Sequence, residues 1–416
     1  MADRVAGMSC RYDDIWLLDG VRTAFADYCG ALAGVSPTDL GIKAARAVLD
    51  HAAVAPGDVG QVIAGNVAQA SFDAYMLPRH IGLYAGVPVE TPAILVQRVC
   101  GTGFEAIAQA ADVITLGKTD LVLCVGAESM SRNPVAAYTH RTGFRLGQVE
   151  FKDFLWEALL DPAANCTMGQ TAENLARKYE ISRQEVDAFA AESFARAVAA
   201  QQEGFLAGEI VPVASESFEI EGYRPRGIKL DRSIASFATD SHVRPTSLEV
   251  LGKLKPAFGG VQTGGNSSGI VDGAAAALVA GGGYVRARAK APLARLLAAA
   301  AVGVPPEIMG IGPVPAIKRA VEVAGLALGD IDRFEINEAF GAQCLAVERA
   351  LDLDHAKVNV NGGAIALGHP LAATGVRLTV TVARELRRRG LRYGAASACI
   401  GGGQGIALVV ENPDAR

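Results

Sequence analysis

The chain has 416 residues, half of them hydrophobic, with 47 glycines and a formal net charge of −5 at pH 7. This length predicts two domains, or two halves that share a core. Acidic and basic residues are interspersed, which argues against nucleic-acid binding, and no run of about 20 apolar residues predicts a membrane span. The 7 cysteines are scattered without a Cys-x-x-Cys pair, which argues against a disulfide framework or a metal site.

The N-terminal segment 1–14 is polar and lacks the apolar core of a secretory signal, and the C-terminus matches no organelle address. Together with the cysteine usage, this predicts a soluble cytoplasmic protein.

Apolar runs bounded by turn residues predict strands, and longer amphipathic segments predict helices. In the first part, strands are predicted at 15–20, 59–65, 93–99 and 120–126, and helices at 40–51, 78–84 and 104–116. A more charged stretch, 127–258, contains predicted helices at 171–179 and 183–203 and indicates an exposed insertion. After it come strand 269–280, helix 376–389 and strand 406–411. This alternation is typical of an α/β fold.

An internal repeat is visible in the order of these elements. Thr102-Gly103 opens a helix that is followed by a glycine and a strand, and Thr374-Gly375 opens the same series near the C-terminus. The repeat predicts a duplicated α/β unit, in which a pseudo-two-fold axis brings Cys100 close to the glycine-rich C-terminal segments.

Cys100 precedes a Gly-Thr-Gly turn at the start of a predicted helix. The helix dipole and nearby backbone N–H groups favour a thiolate at this place. A small buried core residue is the ordinary alternative for a lone cysteine. The flanking glycines and the repeat favour a nucleophile instead.

Two more side chains lie in glycine-rich turns near the C-terminus. His369, between Gly368 and Pro370, is interpreted as a catalytic base. Cys399 precedes a glycine run that is not a dinucleotide fingerprint, because a strand and not a helix is predicted after it. These glycines are typical of a turn that exposes backbone N–H groups beside a thiol, which suits an oxyanion site and a proton donor.

Two polar segments leave their interpretation open. Asn337 follows a predicted strand, where it caps the next helix or holds a water or a carbonyl oxygen. Residues 264–269 form either a plain loop or a surface of backbone donors close to a ligand.

Taken together, these segments resemble the thiolase family across nearly the whole chain. The resemblance is carried by residues 98–103, 126–131, 337–340, 361–363, 368–370 and 399–403. It implies a five-layered αβαβα fold of two duplicated halves with an inserted cover domain. The expected divisions are 1–126 and 259–285 for the N-terminal half, 127–258 for the cover over coenzyme A, and 286–416 for the C-terminal half.

The same resemblance implies a role for each candidate catalytic residue. Cys100 is the nucleophile that becomes acylated, and His369 deprotonates it. Cys399 moves a proton to or from the α-carbon of acetyl-CoA. Asn337 holds a water that forms one oxyanion hole with His369, and the backbone N–H groups of Cys100 and Gly401 form the other. No metal or tightly bound cofactor is implied, and coenzyme A is a co-substrate.

Five further positions are implied to contact coenzyme A or the substrate: Met168, Arg244, Phe258, Ser268 and Phe340. Thr167 departs from the family pattern, because biosynthetic acetoacetyl-CoA thiolases usually carry a histidine there. Ala372 and Ala373 also stand where glycine is common.

The implied activity is that of an acyltransferase that cleaves a 3-ketoacyl-CoA with coenzyme A, as in fatty acid β-oxidation, or runs the reverse condensation. A specialised subunit acting on a branched or aromatic substrate with a partner protein, and a biosynthetic acetoacetyl-CoA thiolase, are the alternatives. Cys399 argues against a decarboxylating ketoacyl synthase, and the missing fingerprint argues against a nucleotide-dependent oxidoreductase. A homodimer or homotetramer is expected.

Overall fold

The computed structural model describes residues 7–138 and 140–415. The strands are β1 (Gly7–Thr23), β2 (Ala26–Asp27), β3 (Gln61–Gly65), β4 (Ala93–Val96), β5 (Leu121–Glu128), β6 (Val135–Ala136), β7 (Lys152–Asp153), β8 (Leu160–Asp161), β9 (Cys166–Thr167), β10 (Ile210–Val211), β11 (Glu216–Phe218), β12 (Arg226–Ile228), β13 (Val271–Gly281), β14 (Ala294–Gly303), β15 (Arg333–Ile336), β16 (Tyr393–Ile400) and β17 (Gln404–Glu411).

The helices are α1 (Pro37–His51), α2 (Leu77–Tyr84), α3 (Thr102–Thr115), α4 (Phe154–Ala158), α5 (Met168–Lys178), α6 (Arg183–Gln202), α7 (Leu248–Gly252), α8 (Gly282–Ala287), α9 (Pro313–Ala324), α10 (Gly341–Leu351), α11 (Ala364–Leu367) and α12 (Leu371–Arg389). Short 3-10 turns occur at Pro56–Asp58, Ala74–Met76, Met130–Arg132, His140–Thr142, Leu206–Gly208, Pro306–Ile311, Leu328–Asp330 and His355–Lys357.

The main sheet has the order β15-β16-β17-β14-β1-β13-β5-β3-β4, and its two parts follow one plan. In the first part, β3 pairs in parallel with β5, which runs antiparallel to β13, and β13 is antiparallel to β1. In the second part, β15 pairs in parallel with β16, which runs antiparallel to β17, and β17 is antiparallel to β14. The duplicated α/β unit predicted from the internal repeat is therefore confirmed.

Strand β1 joins the two parts of the sheet. Its beginning pairs with β14, with Gly7 opposite Val302, and its end pairs with β13, with Arg22 opposite Ala275. Irregularities in register interrupt both pairings. Such irregularities bend a strand and increase its twist, which lets one long strand serve two sheets.

Helices α3 and α12 pack against each other between the two parts of the sheet. Helices α1 and α2 cover the outer face of the first part, and α9 covers the outer face of the second. Alternate residues of β13 serve different layers: Ala275 and Ala277 point into the central cluster, whereas Ala276 and Leu278 point towards α1. The five-layered arrangement expected from the resemblance is confirmed.

Several element boundaries differ from the predictions. Helix α12 begins at Leu371 and not at 376, because a threonine and a glycine that pattern analysis treats as turn residues lie inside its first turns. Strand β4 ends at Val96 and not at 99, which frees residues before Cys100 to form a tight turn.

In the described part of the chain, no helix is both long enough and apolar enough to cross a membrane. The domain boundaries drawn from the sequence stay a prediction. The first six residues of the predicted N-terminal half, and of the polar segment 1–14, lie outside the described residues.

The first turns of α3 and α12 approach each other at two glycines that are equivalent in the repeat. A Cβ atom on Gly103 would lie 2.6 Å from the nitrogen of Val376, and one on Gly375 would lie 2.2 Å from the nitrogen of Phe104. These obstacles are backbone atoms and cannot rotate away. The repeated Thr-Gly pair of the sequence therefore marks the contact between the two central helices.

We expect Gly103→Ala and Gly375→Ala each to lower the free energy of unfolding by about 1–3 kcal/mol, because the added methyl group forces the two helices apart. Gly283→Ala in α8 is the matched control, since a Cβ atom there meets open space. Denaturant unfolding of the three variants measures the difference. Equal stability of Gly103→Ala and the unmodified protein would contradict the tight contact.

Candidate active site

Cys100 lies at the tip of a tight turn between β4 and α3. The turn is closed by the N–H of Gly101, which donates to the carbonyl of Arg98 at 2.8 Å, and by the hydroxyl of Thr102, which donates to the carbonyl of Val99 at 2.7 Å. Val99 adopts a φ of 43°, a conformation that is rare for a β-branched residue. The turn therefore places the cysteine directly before the N-terminus of α3 at the cost of local backbone strain.

Burial raises the pKa of the Cys100 thiol to about 11, and the backbone N–H groups of Gly401 and of Cys100 itself act in the opposite direction. As expected, the N–H donors favour the thiolate and lower the pKa. The pKa of Cys100 is nevertheless higher than that of a free thiol, because the loss of hydration outweighs the donors. Cys100 is a neutral thiol at pH 7 in this structure and requires a base.

His369 is held in one orientation and one tautomer by its neighbours. Its Nδ1 lies 2.5 Å from the hydroxyl oxygen of Thr374, and that hydroxyl donates to the carbonyl of Pro370 at 3.1 Å. Because the single hydroxyl proton is already used, Nδ1 carries the proton of the imidazole, and the lone pair lies on Nε2. Burial, followed by the charge of Arg377, lowers the pKa of His369 to about 3. The imidazole is therefore neutral at pH 7.

Asn337 lies beside this lone pair. Its side-chain nitrogen is 3.3 Å from Nε2 of His369. Its side-chain oxygen is buried and has no hydrogen-bond partner among the described residues. Phe340, not Asn337, is the cap of α10, so the alternative in which Asn337 caps the following helix is wrong.

Cys399 and Gly401 lie at the turn between β16 and β17. Residues 401–403 connect the strands, and Gly402 and Gly403 have φ values of 85° and 82°, which side chains with a Cβ rarely adopt. The strand predicted after the glycine run is confirmed as β17. Cys399 is fully buried beside Met168, Met309 and Ala339. Burial, followed by proximity to Cys100, raises the pKa of its thiol.

A cavity of about 510 Å³ opens next to this cluster. Four of the five predicted coenzyme A contacts line it: Met168, Phe258, Ser268 and Phe340. Arg244 does not; it is exposed, lies over the ring of Phe194 and donates to the carbonyl of His242. The cavity borders these candidate residues: the lining residue Met168 packs in one cluster with Cys399, and the backbone N–H of His369 donates to the carbonyl of the lining residue Gly269 at 2.9 Å.

Sequence reasoning assigned no role to Glu128, which ends β5 and is fully buried. Burial raises the pKa of its carboxyl group to about 7. The carboxylate connects the loop after β3 to the first turn of α12, beside Cys100. The donors are the side-chain nitrogen of Asn66 and the N–H groups of Val67, Ala68 and Ala372. The only available signal was its position in segment 126–131.

Thr374 was treated only as half of a repeated Thr-Gly pair, although it orients His369. Its counterpart in the repeat, Thr102, closes the turn that carries Cys100. The two threonines thus serve the nucleophile and the base in equivalent places. The duplication itself was the signal that could have identified the function of Thr374.

Comparisons with known proteins identify the family of this chain. The thiolase N-terminal domain matches residues 15–282, and the thiolase C-terminal domain matches residues 290–412. The mitochondrial 3-ketoacyl-CoA thiolase of Homo sapiens is 45% identical over 402 residues, which cover 96% of this chain and 98% of the relative. The beta-ketothiolase BktB of Cupriavidus necator is 44% identical over 96% of this chain and 99% of the relative.

A crystal structure of human mitochondrial 3-ketoacyl-CoA thiolase in complex with CoA superimposes with a TM-score of 0.90. It is 44% identical in sequence, and the match covers 96% of this chain and 98% of that one. Two domain matches that together span most of the sequence, and near full-length relatives at this level of identity, establish the relationship. This chain belongs to the thiolase family of acyltransferases.

Proposed function

We propose that this protein cleaves 3-ketoacyl-CoA substrates with coenzyme A, through an acyl thioester on Cys100, to give an acyl-CoA and acetyl-CoA. The observation that carries the proposal is the presence of two buried thiols, Cys100 beside the N–H of Gly401 and Cys399 two residues before it, together with a buried neutral imidazole, His369, that Thr374 holds in one tautomer. One thiol supplies the nucleophile and the other a proton. A 3-ketoacyl group needs both, because cleavage leaves a carbanion next to a thioester carbonyl.

In the first half-reaction, Nε2 of His369 takes the proton of the Cys100 thiol, and the sulfur attacks the keto carbon. The N–H groups of Cys100 and Gly401 stabilise the developing oxyanion, since both already point at this sulfur. The bond between C2 and C3 then breaks, and the thiol of Cys399 protonates C2. Acetyl-CoA leaves, and Cys100 carries the acyl group.

In the second half-reaction, the Cys399 thiolate takes the proton of coenzyme A. The coenzyme A sulfur attacks the thioester, and the acyl group leaves Cys100 as acyl-CoA. His369 returns its proton to the Cys100 sulfur, so that each group regains its starting state. The unpartnered oxygen of buried Asn337 supports its role in holding a water beside His369.

Thr167 supports a degradative role, as in fatty acid β-oxidation, over biosynthetic acetoacetyl-CoA formation. It lines the 510 Å³ cavity at the place where the biosynthetic pattern has a histidine. Its hydroxyl accepts from the N–H of Gln170 and caps α5. The side chain is thus engaged in holding the helix and offers no imidazole at this position.

We also propose a homo-oligomer. Strand β4 is an edge of the sheet in the described part of the chain, and the side chain of Ile94 on it is 44% exposed. An apolar, unprotected edge strand favours pairing with another chain. Light scattering of the purified protein is expected to give the mass of a dimer or tetramer, and Ile94→Lys is expected to shift it towards the monomer. A monomeric unmodified protein would contradict this proposal.

We expect Cys100→Ser to lower thiolysis of acetoacetyl-CoA by at least about a thousandfold, because a serine hydroxyl is far harder to deprotonate than a thiol. Cys399→Ser is expected to lose about 10²–10⁴-fold, because it removes the proton donor for C2. Acetylation of Cys100 by acetyl-CoA should be slowed less in the Cys399 variant than thiolysis is, since that step breaks no carbon–carbon bond and lacks only the proton for the coenzyme A thiolate. Intact-protein mass spectrometry detects the acetyl group.

Cys10→Ser is the matched control for these variants, since this partly exposed cysteine lies outside the candidate site. Full activity of Cys100→Ser, or acetylation of its serine at the rate of the unmodified enzyme, would remove Cys100 from the mechanism.

Stability should depend on pH through His369. The unfolded imidazole has a pKa of about 6.5, whereas burial holds the folded value at about 3. Between about pH 6.5 and the folded pKa, only the unfolded chain takes up a proton at this histidine, which stabilises the unfolded state. The stability that the neutral, buried imidazole contributes is therefore complete above the unfolded pKa and is lost as pH falls. Between about pH 7.5 and about pH 5, the unmodified protein is expected to lose about 2 kcal/mol more than His369→Asn.

Denaturant titrations at the two pH values measure this difference. His140→Asn replaces an exposed histidine and is the control, which should follow the unmodified protein. Identical pH dependence of His369→Asn and the unmodified protein would mean that the folded imidazole titrates normally.

A further inference from the structure

Cys100 lines neither of two nearby cavities, but residues of its hydrophobic cluster line both. It packs with Val67, Val99 and Leu159 in one hydrophobic cluster. Leu159 lines the 510 Å³ cavity that holds the predicted coenzyme A contacts, whereas Val67 and Val99 line a second cavity of about 280 Å³. The remaining lining residues of the second cavity are Ala68, Gln69, Gln97, Tyr138, Phe154, Glu157 and Ala158.

We propose that the second cavity binds the part of the acyl chain beyond the carbon attached to Cys100, and that it takes a chain ending in an aromatic ring. The inference rests on the proposed function. During thiolysis, the coenzyme A sulfur must reach the thioester from the first cavity. The acyl chain has to leave the same carbon in another direction, and the second cavity is lined by Val99, the chain neighbour of Cys100, and by Val67 of the same cluster.

The size of the second cavity fits a ring. A cavity of roughly 150 Å³ lined by apolar side chains is sufficient to bind benzene. The volume of about 280 Å³ therefore accommodates a phenyl group and the methylene groups that lead to it.

The lining also favours a ring. Tyr138 and Phe154 are stacked, with ring centroids 5.9 Å apart and an angle of 6° between their planes. Tyr138 is 55% exposed and Phe154 is half-buried, so both retain ring surface for a further contact. Aromatic pairs contribute beyond their buried area when rings stack or meet edge to face. A third ring on this pair gains such contacts, which a short acyl chain does not reach.

A charged side chain in the second cavity argues against acyl chains that end in a carboxylate. Glu157 is the one charged side chain among the described residues that line the second cavity. The nearest cation, Lys152, lies 4.0 Å from it and is closer to Glu150, at 2.6 Å. A chain that ends in a carboxylate would therefore meet a like charge that is not fully compensated. The cavity disfavours such chains and accepts uncharged aromatic ones.

Steady-state thiolysis by the full-length protein tests this assignment with three substrates: acetoacetyl-CoA, a 3-ketoacyl-CoA ending in a phenyl group, and one ending in a carboxylate. Ala158→Phe narrows the second cavity and is expected to lower kcat/KM for the phenyl substrate, relative to acetoacetyl-CoA, by about tenfold or more. Glu157→Gln is expected to raise kcat/KM for the carboxylate substrate, relative to acetoacetyl-CoA, by about tenfold.

Ala163→Phe is the matched control, because Ala163 is exposed and lines neither cavity. Its substrate ratios should stay within about twofold of the unmodified protein. Unchanged ratios in both cavity variants, with acetoacetyl-CoA still cleaved, would overturn the aromatic subsite and leave the proposed function intact. Absence of cleavage of all three substrates by the unmodified protein would instead contradict the proposed function. If Ala158→Phe fails to fold, the kcat/KM of Glu157→Gln for the carboxylate substrate, relative to acetoacetyl-CoA, decides alone whether the acyl chain lies in the second cavity.

Discussion

The close contact between the first turns of α3 and α12 determines where the chemistry takes place. Gly103 and Gly375 allow two helix N-termini to meet with backbone against backbone. Each helix is preceded by a turn that carries one reactive residue, Cys100 in one case and His369 in the other. A duplicated fold thus brings two equivalent turns to one place and gives them different side chains. Larger residues at either glycine would separate the turn that carries Cys100 from the turn that carries His369.

Burial then sets the protonation state of every group in the cluster. Both thiols and the imidazole are held neutral at pH 7, since loss of hydration raises the pKa of the thiols and lowers that of the imidazole. A proton can therefore move between neighbours without leaving a stable isolated charge in the protein interior. Fixed N–H donors of Gly401 and Cys100 point at the sulfur of Cys100, where the proposed mechanism develops negative charge. Glu128 and Thr374 preserve this geometry without contacting the reacting atoms.

Much of the architecture could be predicted from the sequence, because strand and helix periods were regular and the repeat was visible. The order of strands and helices around Cys100 and the strand after Cys399 are examples. Predictions failed where contacts between distant parts of the chain determine the end of a helix or the pKa of a side chain. Helix α12 begins earlier than its apolar period, since packing against α3 stabilises a first turn that contains Thr374 and Gly375. The acidity of Cys100 was misjudged because local donors are visible in a sequence and burial is not.

The cavity residues show the same limit. Met168, Phe258, Ser268 and Phe340 come from three separate segments, and no pattern in the sequence predicts that they line one cavity; the family resemblance alone pointed to them. Arg244 does not line this cavity, although it donates to the carbonyl of the lining residue His242, and its contact with coenzyme A stays a prediction. Position in the chain does not specify where a long side chain points.

A single short segment borders both cavities, and this has a consequence for specificity. Residues 154–159 supply Phe154, Glu157 and Ala158 to the second cavity, and Trp156 and Leu159 to the first. The reacting groups lie on other elements, at the ends of β4 and β16 and before α12. We therefore expect changes at Phe154, Glu157 or Ala158, which lie outside the hydrophobic cluster of Cys100, to alter which acyl chain is accepted while Cys100, His369 and Cys399 stay in place. In the proposed mechanism, substrate preference and chemistry are thus separable, because segment 154–159 carries the first and the turns and strand end that hold Cys100, His369 and Cys399 carry the second.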